Sequence, residues 1–228
     1  MERAREHDAC PGALSVHPAA DGALARIRLP GGMLTPAQLT ALADAARRFG
    51  SEAMELTSRG NIQIRGISDP AAVADAVAAA GLLPSPTHET VRNIVASPLS
   101  GRCGGATDIR PWVTRLDHAI QSELALAALP GRFLFGIDDG RGDIAALAAD
   151  VAVQTLGASG DEAAVLLAGR DSGVRVAAGD AVEVMVTVAR RFTASRGGAW
   201  RIAELDDTSA LLDRSEEHTS ELQSHSRI

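Results

Sequence analysis

LTSRGNIQIRGI, residues Leu56–Ile67, decides how this chain is read. From Thr57 every second residue is polar, giving Thr57, Arg59, Asn61, Gln63 and Arg65, while Ile62 and Ile64 between them are apolar. Strict alternation predicts a strand with one buried face, here within a tight β-hairpin. Gly60 marks a short connection or bulge that resets the register, so the alternation is firmer after it than before. The polar face offers two guanidiniums, two amides and a hydroxyl, with no carboxylate in the stretch. Such a face is suited to holding an anion.

The flanking segments supply a fold. Ala23–Leu29 alternates as a strand, with Ala25, Ile27 and Leu29 on one side and Arg26 and Arg28 on the other. Pro30-Gly31-Gly32 breaks it. Thr35 is a good N-cap and Pro36 a good first helical residue, and Leu39, Leu42, Ala46 and Phe49 follow at helical spacing until Gly50. After the hairpin Ala53–Ile67, Asp69-Pro70 opens a helix over Ala71–Ala80 that Gly81 closes. The order β-α-β-β-α predicts an α+β, ferredoxin-like half-domain with both helices on one sheet face. Arg28, Arg59, Asn61, Gln63 and Arg65 would then share the helix-free face.

Beyond it, the sequence predicts a linker at 82–90 and a second α/β region over 91–213. That region holds a helix at Pro111–Leu129 with Leu116, Ile120 and Leu124 on one stripe, and a strand at Phe133–Asp138. Strands at Val151–Leu156, Ala164–Ala168 and Val174–Ala177 follow, then a helix from about Asp180 to Ser195. The half-domain spans 21–81, and residues 1–20 read as an irregular lead-in. No internal repeat is visible.

Composition narrows the function classes. The 228 residues are 46% hydrophobic, without an apolar run long enough to span a bilayer, and MERAREHDAC lacks the apolar core of a signal peptide. A cytoplasmic protein is expected, without a membrane partner. The formal charge is −7, aromatic content is 3%, and every basic side chain apart from histidine is arginine. An acidic chain this poor in aromatics is a weak candidate for nucleic-acid binding, and the hairpin has no base-stacking residue for an RNA-binding version of this fold. The two cysteines, Cys10 and Cys103, form no C-x-x-C pair and read as reduced thiols. His7, His17, His88 and His118 show no paired metal-ligand spacing, so no metal site is expected from them. DDGRGD (Asp138–Asp143) lacks the regular acidic ligands of a calcium loop and reads as a turn.

LTSRGNIQIRGI resembles the central motif of the nitrite/sulfite reductase family, and the glycine after its arginine is closer to the precorrin-3B synthase branch. ARIRLPGGMLTPAQL (Ala25–Leu39), RNIVASPLSG (Arg92–Gly101), LPGRFLFGIDDG (Leu129–Gly140) and AWRIAEL (Ala199–Leu205) resemble further family segments in the same order. The resemblance covers roughly Cys10 to Leu205. It implies that Arg28, Arg59 and Arg92 contact the carboxylates of a tetrapyrrole or a small anionic substrate, which arginine grips through a rigid two-donor fork. Asn61 and Gln63 either read the macrocycle's edge or decorate the sheet. Arg132 matches one of two basic positions that sulfite reductases use on their substrate. Leu134 occupies the second, which argues against sulfite reduction.

The implied activity is that of a precorrin-3B synthase-like oxidoreductase, an oxygen-dependent monooxygenase that hydroxylates precorrin-3A and forms a lactone during cobalamin biosynthesis. The implied cofactors are a 4Fe-4S cluster and a further iron centre, either non-haem iron or siroheme. A cubane cluster takes four thiolates; the resemblance implies that its cysteines lie in a later segment, so this chain alone is expected to be inactive. A siroheme-dependent sulfite or nitrite reductase fragment and a non-catalytic tetrapyrrole-binding module are the alternatives. The electron donor and oligomeric state stay open. Finally, RSEEHTSELQSH (Arg214–His225) resembles a translated sequencing adapter, so residues 214–228 are set aside from the fold and the gene is expected to be cut near Asp213.

Overall fold

The computed structural model describes residues 10–213. His7, the start of the lead-in and the 214–228 tail lie outside the described residues. The first sheet has the order β1-β2-β4-β3, with β1 at His17–Ala19, β2 at Gly22–Ile27, β3 at Met54–Leu56 and β4 at Ile62–Ile67, all antiparallel. The lead-in is therefore not wholly irregular: β1 forms an edge strand there, and Arg26 N–H donates to Gly12 O beyond it at 3.0 Å.

Two helices, α1 (Pro36–Phe49) and α2 (Pro70–Ala79), cover one face. α1 starts in a capping box: Thr35 Oγ1 accepts from Gln38 N–H at 3.2 Å, and Gln38 Oε1 accepts from Thr35 N–H at 3.0 Å. Asp69 caps α2 through Ala72 N–H at 3.0 Å. Ala25, Ile27, Ile62, Ile64, Leu42, Ala46, Val73 and Val77 make the core between sheet and helices. Leu39, expected on the buried stripe, is 45% exposed; the α1 stripe runs instead through Leu42, Ala45 and Ala46. Gly50 ends α1 where a Cβ would stand 2.8 Å from Ile64 Cγ2 and 2.9 Å from Arg65 O, so only glycine lets the chain cross the sheet so closely.

The hairpin is looser than the sequence predicts. Thr57–Asn61 is a loop, closed by Thr57 N–H to Asn61 O at 2.9 Å and Gly60 N–H to Thr57 O at 3.0 Å. Gly60 takes φ +70°, the left-handed conformation the turn requires. Thr57 and Arg59 thus sit in the loop rather than on a strand, and the alternation holds from Ile62 onward.

The second sheet has the order β5-β6-β7-β8-β9: Ile94–Ala96, Phe135–Asp138, Val151–Leu156, Glu162–Leu167 and Arg170–Ala177. β5, β6 and β7 are parallel, and β8 and β9 are antiparallel additions. α3 (Arg110–Ser122) and α4 (Ala181–Ser195) pack with this sheet through Leu116, Ile120, Phe133, Phe135, Met185 and Phe192. α3 is shorter than predicted. Glu123 is extended (φ −101°, ψ 96°) and a 3-10 turn replaces the last helical turns, so Leu124 leaves the stripe and is 78% exposed. DDGRGD is a turn: the Asp138 carboxylate accepts the N–H groups of Gly140, Gly142, Ile144 and Ala145 at 2.9–3.0 Å. The two sheets meet where the 3-10 turn Pro30–Gly32 lies on β5 and α3. A Cβ on Gly31 would stand 3.1 Å from Val113 Cγ1. Among the described residues no helix is long and apolar enough to cross a membrane.

Candidate anion-binding site

Antiparallel register builds the first part of the site. Arg26 on β2, Gln63 on β4 and Glu55 on β3 are direct cross-strand partners and form one row. Arg26 Nη2 donates to Gln63 Oε1 at 2.9 Å, and Gln63 Nε2 donates to Glu55 Oε2 at 2.8 Å. Gln63 is thereby held at both ends of its amide, and a neighbouring strand brings a carboxylate to a face that the hairpin stretch itself leaves without one. Asn61 is buried, with Oδ1 accepting Leu29 N–H at 2.9 Å, so its amide secures the end of β2.

Arg28 follows Arg26 and is 3% exposed. Its Nε donates to Thr90 O at 3.3 Å, while its Nη1 and the Nε of Arg26 are buried and without a hydrogen-bond partner among the described residues. Burial, then the like charge of Arg26, pushes the Arg28 guanidinium down to about 10, and Arg59 adds to this, while Cys10 and Glu89 oppose it. Arg59 reaches across from the hairpin loop, its Nη1 donating to Arg132 O at 3.2 Å. Burial followed by the Arg201 charge pushes it down as well. Arg26, Arg28 and Arg59 thus lie within one another's field.

The remaining candidates are placed elsewhere. Arg92 is 4% exposed and engaged with Asp117 of α3, at 2.6 Å through Nε and 2.9 Å through Nη2. Arg65 pairs with Asp21 at 3.5 Å on a more exposed part of the sheet. Arg132 is exposed, with its guanidinium 4.8 Å from the centroid of the Trp200 ring. Leu134 is buried in a small apolar cluster. Sequence reading missed the roles of Glu55, Asp117, Asp150 and Arg201. The alternation in ARIRLP does set Arg26 beside Arg28, but the others are brought in by pairing between distant segments that no local pattern announces.

A cavity of about 840 Å³ opens between the two layers. Its walls include Gly31 and Gly32, the loop Ser58-Arg59-Gly60, and Ala96 and Ser97 at the carboxyl end of β5. Crevices at the carboxyl ends of parallel strands are a general location for ligands. Arg59 lines this cavity, while Arg26 and Arg28 lie outside its walls.

An iron–sulfur cubane does not fit the residues present. The chain has two cysteines, Cys10 and Cys103, and a four-thiolate centre needs more. Asp138, Asp139 and Asp143 have carboxylate oxygens within 4.8 Å of one another, but each is already engaged. Asp138 holds four backbone N–H groups, Asp139 pairs with Arg141 at 2.7 Å, and Asp143 accepts Ser97 Oγ at 2.6 Å. His88 is buried, with its ring nitrogens in hydrogen-bond reach of Ser85, Thr87 and Glu123 O.

Comparison with known proteins gives the family context. Residues 17–80 match the nitrite/sulfite reductase ferredoxin-like half domain. A precorrin-3B synthase of Sinorhizobium sp. is 33% identical over 205 residues, covering 87% of this chain and 44% of that protein. A ferredoxin--nitrite reductase of Synechococcus elongatus is 33% identical over 131 residues, covering 52% of this chain and 25% of that protein. The solved structure of the Mycobacterium tuberculosis NirA protein superposes with a TM-score of 0.63 at 21% identity, covering 75% of this chain and 34% of that one, which shows the shared fold. The chain spans less than half the length of these curated relatives. They give no support to an adapter origin for residues 214–228. The ferredoxin-like half domain, the second mixed sheet and the similarity along most of the chain make this protein a homologue of precorrin-3B synthase that shares the fold of the nitrite/sulfite reductases.

Proposed function

We propose that this chain contributes the carboxylate-gripping part of a precorrin-3B synthase-like oxidoreductase acting on an anionic tetrapyrrole. One observation carries the reading. In a chain of net charge −7, the fold gathers Arg26, Arg28 and Arg59 at a poorly solvated place and leaves two of their nitrogens without a hydrogen-bond partner among the described residues. Uncompensated buried charge is costly, several kcal/mol per ion as an order of magnitude. An arginine set retained on those terms is one that an anion completes. A tetrapyrrole rich in carboxylates meets the requirement, and arginine is the side chain best matched to it.

In this reading Arg28 and Arg59 bind substrate carboxylates, while Gln63 and Asn61 keep the sheet end in shape. Arg132, beside Trp200, lies next to Arg59 at the edge of the site. Arg92 supports the site through Asp117. The reaction proposed for the whole protein is oxygen-dependent hydroxylation and lactone formation on precorrin-3A. Iron centres would supply electron and oxygen chemistry from residues other than those described, and the protein's part is to bind and orient the macrocycle. We take 21–81 and 91–213 as separate domains joined by 82–90, with the site at their junction and the protein working in the cytoplasm.

Reversing the charge of Arg59 tests this. Arg59→Glu should weaken binding of uroporphyrin, a carboxylate-rich porphyrin, by tenfold or more, about the loss of one charge-assisted contact. Unchanged affinity would remove Arg59 from the binding face and overturn the reading of the arginine set as a carboxylate grip. The nitrite reductase relative keeps a second reading in play, a siroheme-dependent sulfite or nitrite reductase. Siroheme copurifying with the longer protein, together with sulfide formed from sulfite, would put that reading first. Binding without any turnover by the longer protein would favour a non-catalytic tetrapyrrole carrier.

A further inference from the structure

Asp150 lies immediately before β7 and is fully buried. Its carboxylate accepts Leu134 N–H at 2.8 Å, Ile202 N–H at 2.7 Å and Arg201 Nε–H at 2.6 Å. Arg201 Nη2 also donates to Ala148 O at 2.8 Å. The surrounding backbone is under constraint: Ala148 and Ala168 hold φ of 48° and 49°, a region non-glycine residues seldom adopt, and Ala168 N–H donates to Asp150 O at 2.9 Å. Arg201 is therefore set by one edge of its guanidinium, while its side chain keeps 27% of its exposure.

Arg59 approaches the same place from the other sheet. Its Nη1 bonds Arg132 O, two residues before the Leu134 N–H that Asp150 binds. Among the charges acting on Arg59, that of Arg201 is the largest, opposed by Cys10 and, less, by Asp150. Two like-charged guanidiniums thus act on each other near a carboxylate that is already committed to two backbone N–H groups and to Arg201. Arg201, still partly exposed, keeps the other edge of its guanidinium clear of Asp150.

We propose that Arg201, oriented by Asp150, is a further anion-binding residue that works with Arg59 on one carboxylate of the ligand. This rests on the tetrapyrrole reading above. Asp150 is then a positioning residue, which holds the guanidinium in place before the ligand arrives and so lowers the ordering cost of binding.

The experiment is uroporphyrin titration of the full chain over a range of salt concentrations. It compares the unchanged protein with Arg59→Glu, Arg201→Met and the double variant Asp150→Asn/Arg201→Met. The double variant removes both charges together, so it keeps the local net charge and avoids leaving a lone buried carboxylate. The expected result is about a tenfold loss of affinity in both Arg201 variants, with a weaker salt dependence than the unchanged chain. Loss of affinity in Arg59→Glu with unchanged affinity and salt dependence in the double variant would overturn this inference alone and leave Arg201 as a structural tie. Absence of uroporphyrin binding by the unchanged chain would overturn the functional reading, and this inference with it.

Discussion

Removing the Asp117 carboxylate is the sharpest test of how the buried arginines are divided between structure and binding. Arg92 is 4% exposed, and its Nε and Nη2 both end on Asp117, which also accepts Gln121 Nε2 at 3.0 Å. Asp117→Ala leaves a buried guanidinium without its counter-charge and takes one acceptor from Gln121. Breaking a buried pair from one side costs about 3–5 kcal/mol. For a chain of this size each kcal/mol moves the melting temperature by about 2–4 °C, so a fall of roughly 6–20 °C is expected. Replacing both partners, in Arg92→Met/Asp117→Ala, removes the stranded charge and should recover most of that loss. Urea or thermal unfolding of Asp117→Ala, Arg92→Met and the double variant closes the cycle. A single Asp117→Ala variant within about 1 kcal/mol of the parent would refute the reasoning, because surface pairs give effects of that size. Arg92 would then have to be counted among the groups free to meet a ligand.

Two further predictions concern local structure. Thr35→Ala removes the hydroxyl that accepts Gln38 N–H at the start of α1 and should cost about 1 kcal/mol in urea unfolding; no change would mean that the box contributes nothing to the helix. Asp139 is held below the usual carboxylate range, first by its bond to Arg141, against the opposing effect of burial. A depressed carboxyl adds stability that is complete above its unfolded value, about 3.9, and disappears as pH falls through the folded one. The stability gap between the parent and Arg141→Ala should be full at neutral pH and close under strongly acid conditions. A gap that stays constant with pH would show that Arg141 acts by packing alone.

What the sequence made legible is what local chemistry dictates. Thr35-Pro36 and Asp69-Pro70 announce helix starts because caps act over three or four residues, and Ile62 and Ile64 announce a strand because side-chain alternation is strictly local. Gly60 shows the limit: its left-handed turn opens a loop, and with it the parity that would have set Arg59 on the sheet. The end of α3 at Glu123 was hidden for a similar reason, since apolar Leu124 continues the helical spacing that the backbone abandons. At the site, the arginines are visible in the sequence but their counter-charges are not. Asp117 and Arg92 are 25 residues apart, and Asp150 and Arg201 are 51 apart. Only the packing of the second sheet decides that Arg92 is paired while Arg28 keeps a nitrogen without a partner among the described residues.

The central claim is that the fold keeps Arg28 buried in order to meet an anion. The most direct measurement is the uroporphyrin affinity of Arg28→Met set beside its thermal stability. Methionine preserves apolar bulk and removes an incompletely satisfied charge, so stability should hold or rise. Affinity should fall by tenfold or more. A variant that loses stability while binding uroporphyrin as tightly as the parent would contradict the account, and would make Arg28 a structural residue of the ferredoxin-like layer.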